Sequence, residues 1–150
     1  MTQTGPQRQP LTQLQPAVAY SLSLWHDMLA RRDLSNLAKI VHPDAVFRSP
    51  MVYAPYASAG AVILVLNTAI LVFEDFVYHR ELASEDGLSV VLEFSARIGD
   101  KNLKGIDMIR FDQQGLIVEF EVMVRPFTGL QALAAAMAAR LGDKLSAHKG

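Results

Sequence analysis

The sequence predicts an α+β domain: a curved antiparallel β-sheet wrapped as a cone around N-terminal helices, with an additional C-terminal helix. Three observations carry this. Apolar residues recur at helical spacing from Pro16 onward. Between Phe76 and Val124, apolar strand-like segments follow one another with only short turns between them, the pattern of an antiparallel meander. An alanine-rich segment with helical spacing then closes the chain.

The chain has 150 residues, 51% hydrophobic and 19% charged, which suits one folded core and excludes a disordered chain. A formal net charge of −1 builds no basic surface for nucleic acid. The absence of cysteine excludes disulfides, thiolate catalysis and thiolate metal sites. His26, His42, His79 and His148 show no metal-binding spacing, and there is no glycine-rich phosphate loop, so no cofactor is expected. Residues 1–15 read as a flexible arm, 16–142 as one domain and 143–150 as a flexible tail. The longest apolar run, Ala61 to Phe73, is broken by Asn67 and Thr68 and is too short to span a bilayer. No membrane partner is expected, and the cytoplasm is the default location.

Pro16 suits the first turn of a helix, where its missing N–H costs nothing. Val18, Leu22, Trp25 and Leu29 then form an apolar stripe that Leu24 and Met28 widen. Asp33-Leu34-Ser35 is expected to restart a short second helix that His42-Pro43-Asp44 ends. Ala45 to Ser49 reads as a short strand stopped by Pro50, followed by a loop to Ala57. Ser58 is the expected N-cap of a third helix running to about Phe73. That helix is apolar nearly all round, which predicts burial against the last helix or a second subunit.

Strands are expected over Phe76–Leu82 and Leu88–Ile98, joined by Glu85-Asp86-Gly87. In the second, Leu92, Phe94, Ala96 and Ile98 alternate with Glu93, Ser95 and Arg97. After Gly99-Asp100-Lys101-Asn102 come a strand through Phe111, the turn Asp112-Gln113-Gln114-Gly115, and a return strand from Leu116 to Val124. The last helix carries Leu130, Leu133, Ala134, Met137 and Leu141 on one stripe.

Asp107 stands out in this pattern. Alternation places it with Gly105 and Ile109 on one face, shared with Phe120, Val122 and Val124 of the return strand. That is an apolar cavity wall with one acid in it. Burial raises the pKa of such a group, so Asp107 is the candidate acid and hydrogen-bond donor. Trp25, Tyr78, Phe120 and Val122 are the expected ligand-binding residues around it, and Ser49 joins them through the family resemblance that follows. Glu119 and Glu121 belong on the outer face, with Arg97 and Arg110 as suitable neighbours and Met108 and Met123 adding apolar area to it. His26 and Asp27 are adjacent on a helix and do not face each other.

The order of elements resembles the nuclear transport factor 2-like superfamily, in its ketosteroid isomerase and SnoaL-like polyketide cyclase branch. The resemblance runs from about Pro16 to Val124 and rests on two stretches. One is the entry from Arg32-Asp33-Leu34 to Asp44-Ala45-Val46-Phe47-Arg48-Ser49-Pro50; the other is the hairpin Gly105-Ile106-Asp107-Met108-Ile109-Arg110-Phe111-Asp112-Gln113-Gln114-Gly115-Leu116-Ile117. In the isomerases an aspartate before the strand-ending proline moves the proton, while a first-helix tyrosine and a protonated aspartate on the hairpin hold the enolate. Carried over by position, the hairpin acid is Asp107, the base position holds Ser49 and the tyrosine position holds Trp25. The family's isomerisation route therefore does not transfer intact. What the resemblance implies is binding of a small, largely apolar molecule in the cone, with isomerase-, cyclase- or dehydratase-type acid–base chemistry assisted by Asp107. The alternative is a non-catalytic dimeric interaction module that uses the outer sheet face and the apolar helix, its pocket vestigial.

Overall fold

A computed structural model describes residues 13–145 of the protein. The first helix, α1, spans Pro16–Arg31 and buries Val18, Ser21, Leu22, Trp25 and Met28. It ends where Arg32 turns left-handed (φ 52°) and its N–H reaches back to Leu29 O and Met28 O. The expected arm through residue 12 and tail from residue 146 lie outside the described residues. The arm's last positions are pinned: Leu14 is in the core, and Gln15 N donates to Gly87 O at 3.0 Å.

The expected second helix is a single 3₁₀ turn, Leu37–Ile40. Asp33 Oδ1 accepts the Ser35 N–H at 3.0 Å, which satisfies the backbone in a turn instead of a helix. Strand β1 then spans Val41–Arg48 and takes in His42, Pro43 and Asp44, which the sequence reading had placed at a helix end. Pro43 is tolerated because β1 lies at the sheet edge, and the register shifts between Val41 and Val46.

Helix α2, Ala59–Val72, begins as expected at Ser58, whose side chain accepts from Ala61 N. The strands are β2 (Glu74–Ala83), β3 (Ser89–Ile98), β4 (Lys101–Phe111) and β5 (Ile117–Arg125). They form the expected antiparallel meander, and β1 adds to β5 in parallel, giving the order β1-β5-β4-β3-β2. Helix α3, Phe127–Leu141, buries Gly129, Leu133, Met137 and Leu141. It packs against α2, which answers in part for that helix's apolar surface; Leu71 of α2 remains 60% exposed. No helix among the described residues is long and apolar enough to cross a membrane.

The inner sheet face and the helices share a main core, and Phe94 with Ala96 and Leu103 forms a smaller cluster beside it. Phe94, Phe111, Phe120, Leu92, Ile109 and Ile117 are all buried to less than 2% exposure, each contributing about 1.5–3 kcal/mol. Two glycines of the hairpin motif are fixed by packing. Gly115 has φ +84°, and a Cβ there would sit 2.5 Å from Ala17 O of α1. At Gly105 a Cβ would meet Met123 O at 2.2 Å and the Phe94 ring at 2.7 Å. On the outer face, Glu119 pairs with Arg48 at 2.7 Å. Arg97, expected near Glu119 and Glu121, instead meets Glu74 and Asp75 at 3.4 and 3.1 Å, because it lies beside the start of β2.

Candidate functional site

The concave side of the sheet and the three helices enclose a cavity of about 510 Å³. Its wall is mainly apolar. Helix α2 contributes Val65, Leu66, Ala69 and Ile70, while α3 with the residues after it contributes Leu133, Met137, Leu141 and Leu145. Leu145, within the expected tail, therefore belongs to the cavity wall. The polar groups gather where α1 faces β2 and β4.

Asp107 lies in that wall, 6% exposed and opposite Val122 in the β4–β5 register. Its Oδ2 accepts a short hydrogen bond from the Tyr78 hydroxyl. Trp25 Nε1 donates to the same hydroxyl at 3.1 Å. The three side chains form one directed chain: indole N–H to phenol oxygen, phenol O–H to carboxyl. Burial pushes the Asp107 carboxyl up to about 7, with the Tyr78 hydrogen bond acting in the opposite direction. The Tyr78 hydroxyl is driven well above its ordinary value, first by burial and then by the charge of Asp107. Protonated Asp107 keeps Oδ2 as the acceptor for Tyr78 and can present Oδ1–H to a ligand; Oδ1 has no hydrogen-bond partner among the described residues.

The expected ligand-binding residues fall into different places. Trp25, Tyr78 and Val122 line the cavity with Asp107. Ser49 also lines it, but Ser49 Oγ accepts from Met51 N at 3.0 Å and hydrogen-bonds to no acid or base among the described residues. Phe120 corrects the sequence expectation. It is fully buried behind the wall, edge-on to Trp25 (5.5 Å between ring centres) and stacked on Phe47 (6.3 Å). It supports the Trp25 ring without facing the cavity.

The sequence reading missed a buried histidine–carboxylate contact. His26 Nε2 meets Glu81 Oε1 at 2.5 Å, with side chains 8% and 6% exposed. His26 lines the cavity, and its ring stands edge-on to Tyr78 at 5.4 Å between centres. Asp27, which adjacency on the helix rules out as a partner for His26, pairs with Arg31 at 2.8 Å. The signal that leads to Glu81 is a register shift in β2, which a strand pattern alone does not display.

A cone-shaped α+β shell around an apolar cavity with one buried acid in its wall defines the class of fold to which the chain belongs. The chain belongs to the SnoaL-like domain family, which matches residues 23–120. Its fold is that of the nuclear transport factor 2-like superfamily. Among solved structures it is similar to a steroid delta-isomerase from Pseudomonas aeruginosa, with 62% identity and a TM-score of 0.85, covering 89% of this chain and 97% of that one. It is also similar to an uncharacterized protein with a cystatin-like fold from Silicibacter pomeroyi (28% identity, TM-score 0.78, covering 91% and 94%). An epoxide hydrolase/cyclase-like enzyme of pyran ring formation in the polyether salinomycin shares the fold at 14% identity and a TM-score of 0.60, covering 73% of this chain and 91% of that one. A comparison with curated proteins found no match.

Proposed function

We propose that the protein binds a small, largely apolar ketone in the cone and promotes isomerase-type enolisation of it. The observation that carries this reading is the Trp25–Tyr78–Asp107 chain in the wall of an open apolar cavity. A ketone oxygen placed before Asp107 meets a neutral acid. As enolate charge develops, the O–H of Asp107 becomes a charge-assisted donor, and it strengthens most in the transition state. Tyr78 holds the carboxyl in place and Trp25 holds Tyr78. The tyrosine that the resemblance sought on the first helix thus has a counterpart on β2. The name of the 62% identical relative, a steroid delta-isomerase, supports a fused-ring ketone as the ligand class. A cytoplasmic location belongs to the same reading.

The test is binding of steroid-like and polyketide-like ketones to the wild type, Asp107→Asn and Asp107→Leu. The wild type should bind fused-ring ketones, Asp107→Asn should retain part of that affinity because an amide still donates, and Asp107→Leu should bind least. Equal binding by all three removes Asp107 as a recognition group. Binding by none favours the rival reading, a non-catalytic interaction module. The open cavity speaks for the ligand reading, since side chains such as Leu66 line it without filling it.

A homodimer through the outer sheet face and α2 is the assembly that accompanies this proposal. Met123 (44% exposed) and Leu71 (60% exposed) supply apolar area on those surfaces. Light scattering on the purified chain reads the assembly directly.

A further inference from the structure

Strand β2 buries an acid and exposes a leucine. Phe76 and Tyr78 face the cavity, so strict alternation would turn Arg80 and Leu82 inward and Glu81 outward. A register shift between Tyr78 and Glu81 reverses that order. His79 and Arg80 both engage partners on β3, Ser95 and Glu93 respectively. Glu81 turns inward to His26, and Leu82 is left 60% exposed. Burying a carboxylate where a leucine could go costs free energy, and irregularities that re-aim a side chain are concentrated beside active sites.

The pair also has a defined polarity. A carboxylate at Glu81 accepts from His26 Nε2, and in the neutral ring that tautomer leaves the lone pair on Nδ1. No described residue hydrogen-bonds Nδ1. Among the described residues no fully buried side-chain nitrogen or oxygen lacks a partner, so Nδ1 is not completely enclosed. The ring that carries it lines the cavity beside Tyr78. The Ser49 hydroxyl, by contrast, meets only Met51 among the described residues.

We propose that His26 is the proton-transferring base of the cavity, oriented and charge-compensated by Glu81, and that its substrate is an enolisable apolar ketone whose carbonyl is held at Asp107. This rests on the ketone-binding reading above and adds the base that reading lacks. Nδ1 takes a proton from the carbon next to the carbonyl. The C–H bond breaks, an N–H bond forms, the released pair becomes the enolate C=C bond, and the carbonyl π pair moves to oxygen. That oxygen accepts the Asp107 O–H, while the Glu81 carboxylate faces the new imidazolium. With a β,γ-unsaturated ketone, return of the same proton from Nδ1 to the γ-carbon gives the conjugated isomer and restores neutral His26. Nothing else is consumed.

The experiment uses two probes on the full chain. Estradiol, a fused-ring phenol resembling an enol, reports binding. The β,γ-unsaturated isomer of androstenedione reports conversion by ultraviolet absorbance, and its α-proton exchange in D₂O reports proton abstraction by NMR. His26→Gln should still bind estradiol while kcat falls about 100-fold or more and exchange is lost. Glu81→Gln, which keeps the shape and a hydrogen bond to His26, should lower kcat about tenfold with KM unchanged, as expected of a positioning residue. Thermal melts identify any variant that fails to fold, and Glu81→Gln then carries the test. Wild-type conversion that both variants retain overturns the proposal and leaves ketone binding standing. Estradiol binding by a wild type that neither converts nor exchanges the ketone also overturns it. A wild type that binds neither probe removes the ketone-binding reading and this one with it.

Discussion

Trp25 donates its indole N–H to the hydroxyl of Tyr78 across 3.1 Å, joining the first helix to the second strand over 53 positions of sequence. The contact leaves the Tyr78 hydrogen free for Asp107 alone, which fixes the direction of the whole chain. Replacing Tyr78 by Phe removes the link at its centre and leaves the Trp25 N–H and the Asp107 carboxyl without their partner. The cost should be about 1–3 kcal/mol by denaturant unfolding. Estradiol affinity should fall as well, since Asp107 loses the contact that holds it.

Asp107 makes stability depend on pH in a definite direction. Its folded pKa, about 7, lies above its ordinary value of 3.8, so the folded state holds a proton that the unfolded state releases. Stability should therefore be highest below about pH 4, as far as this group is concerned, fall as pH rises to about 7, and change no further above that. Asp107→Asn lacks this group and should gain on the wild type by a few kcal/mol between those limits. Urea midpoints at several pH values check it; a constant difference between the two proteins contradicts the raised pKa.

Ligand affinity should follow the same ionisation. A neutral Asp107 donates to a ketone and an ionised one does not, so ketone affinity should be present below pH 7 and decline as pH rises past it. Asp107→Asn should show no such decline through this group. Titration calorimetry with androstenedione across this range measures the effect.

Ala69 lines the cavity from α2 with the smallest side chain available there apart from glycine. Ala69→Phe should fill part of the space, lowering estradiol affinity about tenfold or more while leaving the melting temperature unchanged or higher. Unaltered affinity would mean that the ligand sits elsewhere.

Gly105 tolerates no Cβ, because Met123 O and the Phe94 ring occupy that space. Gly105→Ala should cost about 1–3 kcal/mol through forced backbone and ring shifts. It sits two residues before Asp107, so loss of ketone binding should accompany the loss of stability. Chemical denaturation and the estradiol titration together read both.

The sequence by itself determined the elements whose periodicity is long and regular. The amphipathic α1, the Ser58-capped α2, the meander and α3 were all legible because apolar spacing is a local property. The inward face of β4 and β5 was legible too, and with it Asp107 beside Val122. Where local chemistry competes, the reading failed. Asp33 bonds its own backbone, and Pro43 sits in an edge strand, so a helix was expected where a turn and a strand stand. Only the tertiary structure decided which polar groups meet. Trp25 reaches Tyr78, and His26 reaches Glu81, because one face of α1 packs toward the inner side of β2. The shift in β2 that turns Glu81 inward breaks the two-residue alternation on which any strand reading depends. Spacing fixes the face of a regular strand, but contacts between distant segments depend on how sheet and helix pack, which no local pattern encodes.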